Sequence, residues 1–86
     1  MNYAVEIHPH AARQLDKIPA ETYSRIYPAL DRLGENPRPM GCQKLKGPIH
    51  RIRVGGWRVF YAIFDESRIV TILEVVRRSE RTYRHI

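Results

Sequence analysis

Ile49-His-Arg-Ile-Arg-Val-Gly-Gly-Trp-Arg-Val-Phe-Tyr-Ala-Ile-Phe64 is the stretch that decides the fold. From His50 to Arg58, arginine alternates with apolar residues at a period of two, which describes a β-strand greasy on one side and cationic on the other. Gly55-Gly56 interrupts the run, so the stretch reads as two antiparallel strands, about 49–54 and about 57–64, joined by a tight turn. A third strand, about 69–76, follows the Asp65-Glu66-Ser67 turn and completes a meander. By parity, Ile52 and Val54 lie opposite Arg51 and Arg53, while Trp57, Val59, Tyr61 and Ile63 lie opposite Arg58, Phe60, Ala62 and Phe64. One face is expected to pack on the rest of the chain. The other carries three arginines beside a few apolar residues, and is expected to stay partly open until a partner covers Phe60 and its neighbours.

Toward the N-terminus, Tyr3 to His8 alternates in the same way and reads as a further strand. Pro9 stops it and suits a first helical position, and Ala11, Ala12, Leu15 and Ile18 follow at helical spacing, so residues 9–18 read as a short amphipathic helix. Pro19 ends that helix. Tyr23, Ile26, Tyr27, Leu30 and Leu33 form one stripe, predicting a second helix from Ala20 to about Glu35 that folds back on the first. Pro28 removes a helical hydrogen bond, so a kink is expected there, or two shorter helices meeting at Tyr27 and Pro28. Gly34, Asn36, Pro37, Pro39 and Gly41 mark a loop that Leu45-Lys46-Gly47-Pro48 closes. The expected fold class is α+β: an N-terminal strand, a helical hairpin, then an antiparallel meander of three strands with the helices on one sheet face. Residues 1–86 read as a single domain ending in a polar tail.

Eighty-six residues allow one core, and the 43% hydrophobic and 28% charged composition belongs to an ordered domain rather than a disordered tail. Cys42, the lone cysteine, can form no internal disulfide, and the four histidines lack the spacing of a zinc site. The expectation is therefore a reducing cytoplasm, with no metal and no cofactor. The run from Ile69 to Val76 is far short of the roughly 20 apolar residues of a membrane span, and the N-terminus lacks a signal-peptide pattern, so no membrane is expected. Charge is the asymmetric property. Residues 1–43 hold five Lys/Arg against five Asp/Glu, and residues 44–86 hold ten against four, so the whole net charge of +6 lies in the second half. A face carrying Arg51, Arg53 and Arg58, followed by Arg77, Arg78, Arg81, Tyr83 and Arg84, suits a polyanion, RNA or DNA first. Lys44 and Lys46 fit contacts to an RNA backbone.

Several of these elements together resemble the RelE branch of the RelE/ParE toxin superfamily: Lys44-Leu-Lys46-Gly47, the strand through Arg51, Arg53, Trp57, Arg58 and Tyr61, Asp65-Glu66, and Val75-Val-Arg77-Arg78-Ser79-Glu80 with Tyr83. The order of strand, helical hairpin ending in Lys17-Ile18-Pro19, and Asn36-Pro37 loop matches as well. The resemblance implies a toxin that enters the ribosomal A site and cuts mRNA there, without a metal, and that a cognate antitoxin holds inactive. The cut has the ribose 2′-hydroxyl attack the adjacent phosphate, leaving a 2′,3′-cyclic phosphate and a 5′-hydroxyl. Matched position by position, Arg58 corresponds to the arginine that steadies the transition-state phosphate, Arg78 to the one serving the leaving group, and Tyr83 to the tyrosine that stacks on or orients a base. Arg51 and Arg53 fall where relatives carry two lysines, and a guanidinium does not readily accept a proton. The general base is then His50, Glu74, or no side chain at all, with geometry imposed by the ribosome. Lys44, Lys46, Arg77 and Arg81 are the expected RNA contacts. The alternatives are a gyrase inhibitor of the ParE branch without nuclease activity, and a catalytically degenerate homologue that only binds antitoxin or RNA. The sequence leaves the oligomeric state open.

Overall fold

The structure, a computed structural model, describes residues 2–78. Seven elements follow in order: β1 (Ala4–Ile7), α1 (Pro9–Asp16), α2 (Ala20–Glu35), β2 (Gln43–Lys46), β3 (Ile49–Val54), β4 (Trp57–Phe64) and β5 (Ile69–Arg77). The strands form one five-stranded sheet in the order β1-β5-β4-β3-β2. The meander is antiparallel as expected, while β1 pairs parallel to β5, which the two intervening helices make possible.

Local chemistry explains most boundaries. Pro9 opens α1, and the His8 ring caps it by accepting the His10 N–H at 3.1 Å. Helix α2 runs unbroken through Pro28, so the two-helix alternative does not occur. Pro28 and Ser24 are both exposed, so the carbonyl that Pro28 cannot serve turns to water instead of into the core. The segment read as a continuous loop contains β2, a short edge strand. Its sequence, Gln-Lys-Leu-Lys, has too few apolar positions to show alternation, and its charges suit a sheet edge.

Both helices pack on one face. Ala11, Leu15, Ile26, Ala29, Leu30 and Leu33 meet Ile52, Val59, Tyr61, Ile63, Val70, Ile72 and Val75 in a single core. Where α2 crosses β1, Gly34 lets the two backbones touch: the Tyr3 N–H donates to the Gly34 carbonyl at 2.6 Å, and a Cβ at Gly34 would lie 2.9 Å from the Tyr3 carbonyl oxygen and 3.0 Å from Val5 Cγ2. Because one of those atoms is backbone, β1 itself would have to move. Gly34→Ala should therefore lower stability by about 1–3 kcal/mol in a thermal melt, through overpacking. That sign opposes alanine's helical advantage of about 1 kcal/mol over glycine, so a stabilised variant would show that β1 yields freely.

Two bulges set which side chains share a face. In β5 the register runs Tyr61↔Ile72, then Phe60↔Glu74, so Leu73 is an extra residue. Ile72 and Val75 consequently both enter the core, Glu74 and Val76 join the arginine face, and Arg77 lies beside Trp57. In β2, Lys44 pairs with His50 while Lys46 pairs with Ile49, again with one residue to spare. Beyond the reach of β1, the Val75 N–H is taken by Gln14 Oε1 of α1 at 2.7 Å, so no buried donor is stranded there.

Away from the arginine face, Asp65 in the β4–β5 turn receives Tyr3 Oη at 2.6 Å and a forked pair of bonds from Arg38 at 3.2 and 2.9 Å. This ties the N-terminal strand and the loop after α2 to the far end of the meander. Arg38 first, then Tyr3, hold the carboxyl down to about 2. A depressed folded-state pKa contributes stability above the unfolded value of about 4 and loses it as pH falls through the folded one. The stability gap between wild type and Asp65→Asn should thus be constant above about pH 5 and close toward pH 2, as urea titrations at a series of pH values would show. The group is exposed, so the gap should be small.

Candidate functional site

The arginine face is built by cross-strand pairing. Arg53 lies directly opposite Arg58, Arg51 opposite Phe60, and on the other side of β4 Arg58 neighbours Val76 while Phe60 neighbours Glu74. Residues paired in this way project to the same side within a few ångströms of each other. Burial, then the nearby charges of Arg53 and Arg58, lower the Arg51 pKa below the ordinary arginine value. Arg51 finds one neutral acceptor, Gln43 Oε1, across the β2–β3 ladder. No carboxylate pairs with Arg51, Arg53, Arg58 or Arg78 among the described residues. Among the described residues Arg58 Nε is buried without a hydrogen-bond partner, an arrangement that costs free energy.

Where β4 begins and β5 ends, a recess of about 700 Å³ wraps round the end of the sheet, lined by Arg58 from the arginine face, Trp57 and Arg77 from the helix side, and Thr22, Gly56 and Arg78. Arg58 of β4, Arg77 of β5 and Arg78 just past it meet there with a residue of α2. The Arg77 guanidinium lies 5.3 Å from the centre of the Trp57 ring, and the Arg78 N–H donates to the Gly56 carbonyl at 2.8 Å, which carries the ladder one residue past β5. The bulge at Leu73 sets the phase of both contacts.

The structure sorts the expected site residues into groups. Arg58, Arg77 and Arg78 share the recess. Arg51 and Arg53 share the face, but Arg53 also borders a different groove, with Arg32, Leu33, Glu35 and Met40 on the α2 side. Lys46 pairs with Ile49, whose parity is that of Arg51, so it belongs to the arginine face. Lys44 pairs with His50 and belongs to the helix side, which separates it from the other cations. His50 is 4% exposed, stacked on Tyr61 with ring centres 5.8 Å apart, and its Nδ1 lies 2.8 Å from the Pro48 carbonyl oxygen. That removes it as a base for anything bound to the arginines. Glu74 is on the arginine face, diagonal to Arg58. Tyr83, Arg81 and Arg84 lie outside the described residues. Phe60 is only 1% exposed in the isolated chain, against the expectation that a partner would bury it. Its register neighbours Arg51 and Glu74 have long stems that flank an aromatic ring on this face. Thr22 was not foreseen, since helix α2 brings it to the recess from a distant part of the chain and no local pattern in the sequence marks it.

Fold and site together define a small α+β protein whose sheet ends in a cationic recess facing solvent. The family model for the ParE toxin of the type II toxin-antitoxin system parDE matches residues 5–82. RelE1 of Methanocaldococcus jannaschii is 30% identical over 83 residues, covering 91% of this chain and 92% of that one. Among solved structures, the archaeal RelE-RelB complex from Pyrococcus horikoshii superposes with a TM-score of 0.83 at 28% identity, covering 94% of this chain and 100% of that chain. The toxin-antitoxin complex RelBE2 of Mycobacterium tuberculosis gives 0.81 at 27% identity, covering 91% and 100%. The chain belongs to the RelE/ParE toxin superfamily, on its RelE side. No helix among the described residues is long and apolar enough to cross a membrane.

Proposed function

We propose that this toxin is a ribosome-dependent endoribonuclease that cuts mRNA in the A site and is restrained by a cognate antitoxin. The observation that carries the reading is the meeting of Arg58 and Arg78, twenty positions apart in sequence, one on β4 and one just past the end of β5, in one open recess. In the reaction, the 2′-oxygen forms a bond to phosphorus as the bond from phosphorus to the 5′-oxygen breaks. One proton leaves the 2′-hydroxyl and one reaches the 5′-oxygen. Arg58 presents a planar fork to two phosphate oxygens as charge grows on them. Arg78 stabilises the departing 5′-oxygen, and Arg51, Arg53, Arg77 and Lys46 hold flanking phosphates. Tyr83 and Arg81 complete the proposed site as base platform and backbone contact. With His50 in the core, the 2′-hydroxyl proton goes to Glu74 or to groups that the ribosome supplies.

The RelE-RelB complexes of the relatives support an antitoxin as partner, and the uncompensated arginines favour an acidic segment in it. The matched ParE model favours a second reading, gyrase inhibition without nuclease activity. Primer extension on a defined mRNA in a translating system separates the two. Cuts within the A-site codon support the nuclease, whereas intact mRNA with inhibited supercoiling supports the second reading.

A further inference from the structure

Gly56 is a glycine that the fold does not require. Val54 pairs with Trp57 across a two-residue turn in which Gly55 takes φ 60° and Gly56 stays out of the left-handed region. This is the φ pattern of a type II′ turn, where only the first central residue needs to be glycine. A Cβ built on Gly56 meets no atom within 4 Å, so neither strain nor packing excludes a side chain. Glycine here costs backbone entropy on folding and returns nothing within the chain itself.

The surroundings supply a reason for it. Gly56 borders the arginine recess and also a second recess lined by Glu21, Thr22, Arg25, Ile26, Val54, Gly55 and Trp57. The two share Thr22, Gly56 and Trp57, so they adjoin at the hairpin tip and outline a channel from Arg58 and Arg78 at the sheet end to Arg25 on α2. The charged groups along it are Arg25, Arg58, Arg77 and Arg78 against Glu21 alone, which suits a chain of phosphates. The Arg78 N–H holds the Gly56 carbonyl in place, so the bare surface of the turn is fixed.

We propose that the ribose-phosphate backbone of single-stranded RNA runs through this channel across Gly56, with Thr22 and Arg25 holding the nucleotide that flanks the cleaved link. The inference rests on the reading of the arginine recess as a cleavage centre and extends it to a direction and a contact surface. Gly56 acts as a clearance residue: a side chain there would stand where the backbone passes.

The test compares wild type, Gly56→Ala, Gly56→Leu, Arg25→Ala and Arg58→Ala by thermal melting, by cosedimentation with ribosomes carrying a defined mRNA, and by primer extension. Both Gly56 variants are expected to melt at or above the wild-type temperature. Cleavage should fall about a hundredfold in Gly56→Leu, the scale of a misplaced substrate, with Gly56→Ala in between. Arg25→Ala should weaken ribosome binding and reduce its logarithmic salt slope by about one. Wild-type cutting and binding by Gly56→Leu, with Arg58→Ala inactive, would overturn the channel and leave the nuclease reading standing. A wild type that binds ribosomes without cutting would sink the nuclease reading, and the channel would then be judged on cosedimentation of Gly56→Leu. No binding by wild type removes both. A lower melting temperature of the Gly56 variants would show that the fold does require glycine. If Gly56→Leu lost affinity for polyglutamate but not for ribosomes, the occupant would be an acidic peptide and not RNA.

Discussion

Arg58→Ala is expected to reduce cutting of ribosome-bound mRNA by about two to three orders of magnitude, the loss typical of removing one preorganised donor to a transition-state oxyanion. The side chain is held by a central strand between Arg53 and Val76, so its direction is set before substrate arrives. Its buried Nε has no hydrogen-bond partner among the described residues. The same features predict that stability does not fall with activity. Alanine at this position relieves repulsion with Arg51 and removes an unsatisfied buried donor, so the melting temperature should stay level or rise. Arg58→Lys retains charge without the planar fork, and its rate should lie between the two. Primer extension with circular-dichroism melts of each variant reads both effects. Undiminished cutting by Arg58→Ala would mean that the phosphate binds elsewhere.

The largest effect on stability should come from Tyr61. Its ring is fully buried and stacked on His50, and its hydroxyl donates to the Pro37 carbonyl at 2.8 Å, fastening the loop after α2 to the centre of the sheet. Burial, reinforced by the neighbouring Cys42, raises the phenol's pKa above its ordinary value, so it remains a donor at any pH at which the chain folds. Tyr61→Ala should cost about 3–5 kcal/mol, the range for emptying an aromatic site in a core. Total stability for a domain of this kind is roughly 5–15 kcal/mol, so much of the protein would be unfolded. Tyr61→Phe keeps the ring and strands the Pro37 carbonyl, for about 1–3 kcal/mol. Urea unfolding of the two variants separates ring from hydroxyl, and a Tyr61→Phe midpoint equal to wild type would show the loop to be held by other contacts.

The sequence shows the meander because His50 to Arg58 alternates at a period of two, an apolar run from Val59 to Phe64 continues it, and Gly55-Gly56 marks the turn. It also shows both helices, because their apolar stripes are bounded by Pro9, Pro19 and Gly34. The strand β2 is hidden because its pairing is decided by β3, with little contribution from its own side chains. The two bulges are invisible for a related reason: Leu73 and Leu45 are ordinary strand residues, and only the partner's register reveals that each is one too many. Sequence proximity of Lys44 and Lys46 does not disclose that a bulge puts them on opposite faces. Arg58 is marked in the sequence by its parity opposite Trp57, and both Arg58 and Arg78 by the family resemblance. The recess that joins them to Thr22 depends on tertiary packing, which no local pattern encodes.

Leu73 has a consequence for how such chains are compared. The four residues after it, Glu74 to Arg77, owe their sides of the sheet to this one bulged residue: drawing Leu73 into a regular ladder would turn Glu74 toward the helices and Arg77 toward the face of Arg58, whereas deleting the leucine would leave both where they are. An alignment of related strands that omits the gap would be offset by one from that point, pairing Arg77 with another chain's Arg78 equivalent. In this protein the number an arginine of the recess carries is a statement about strand length as much as about residue type.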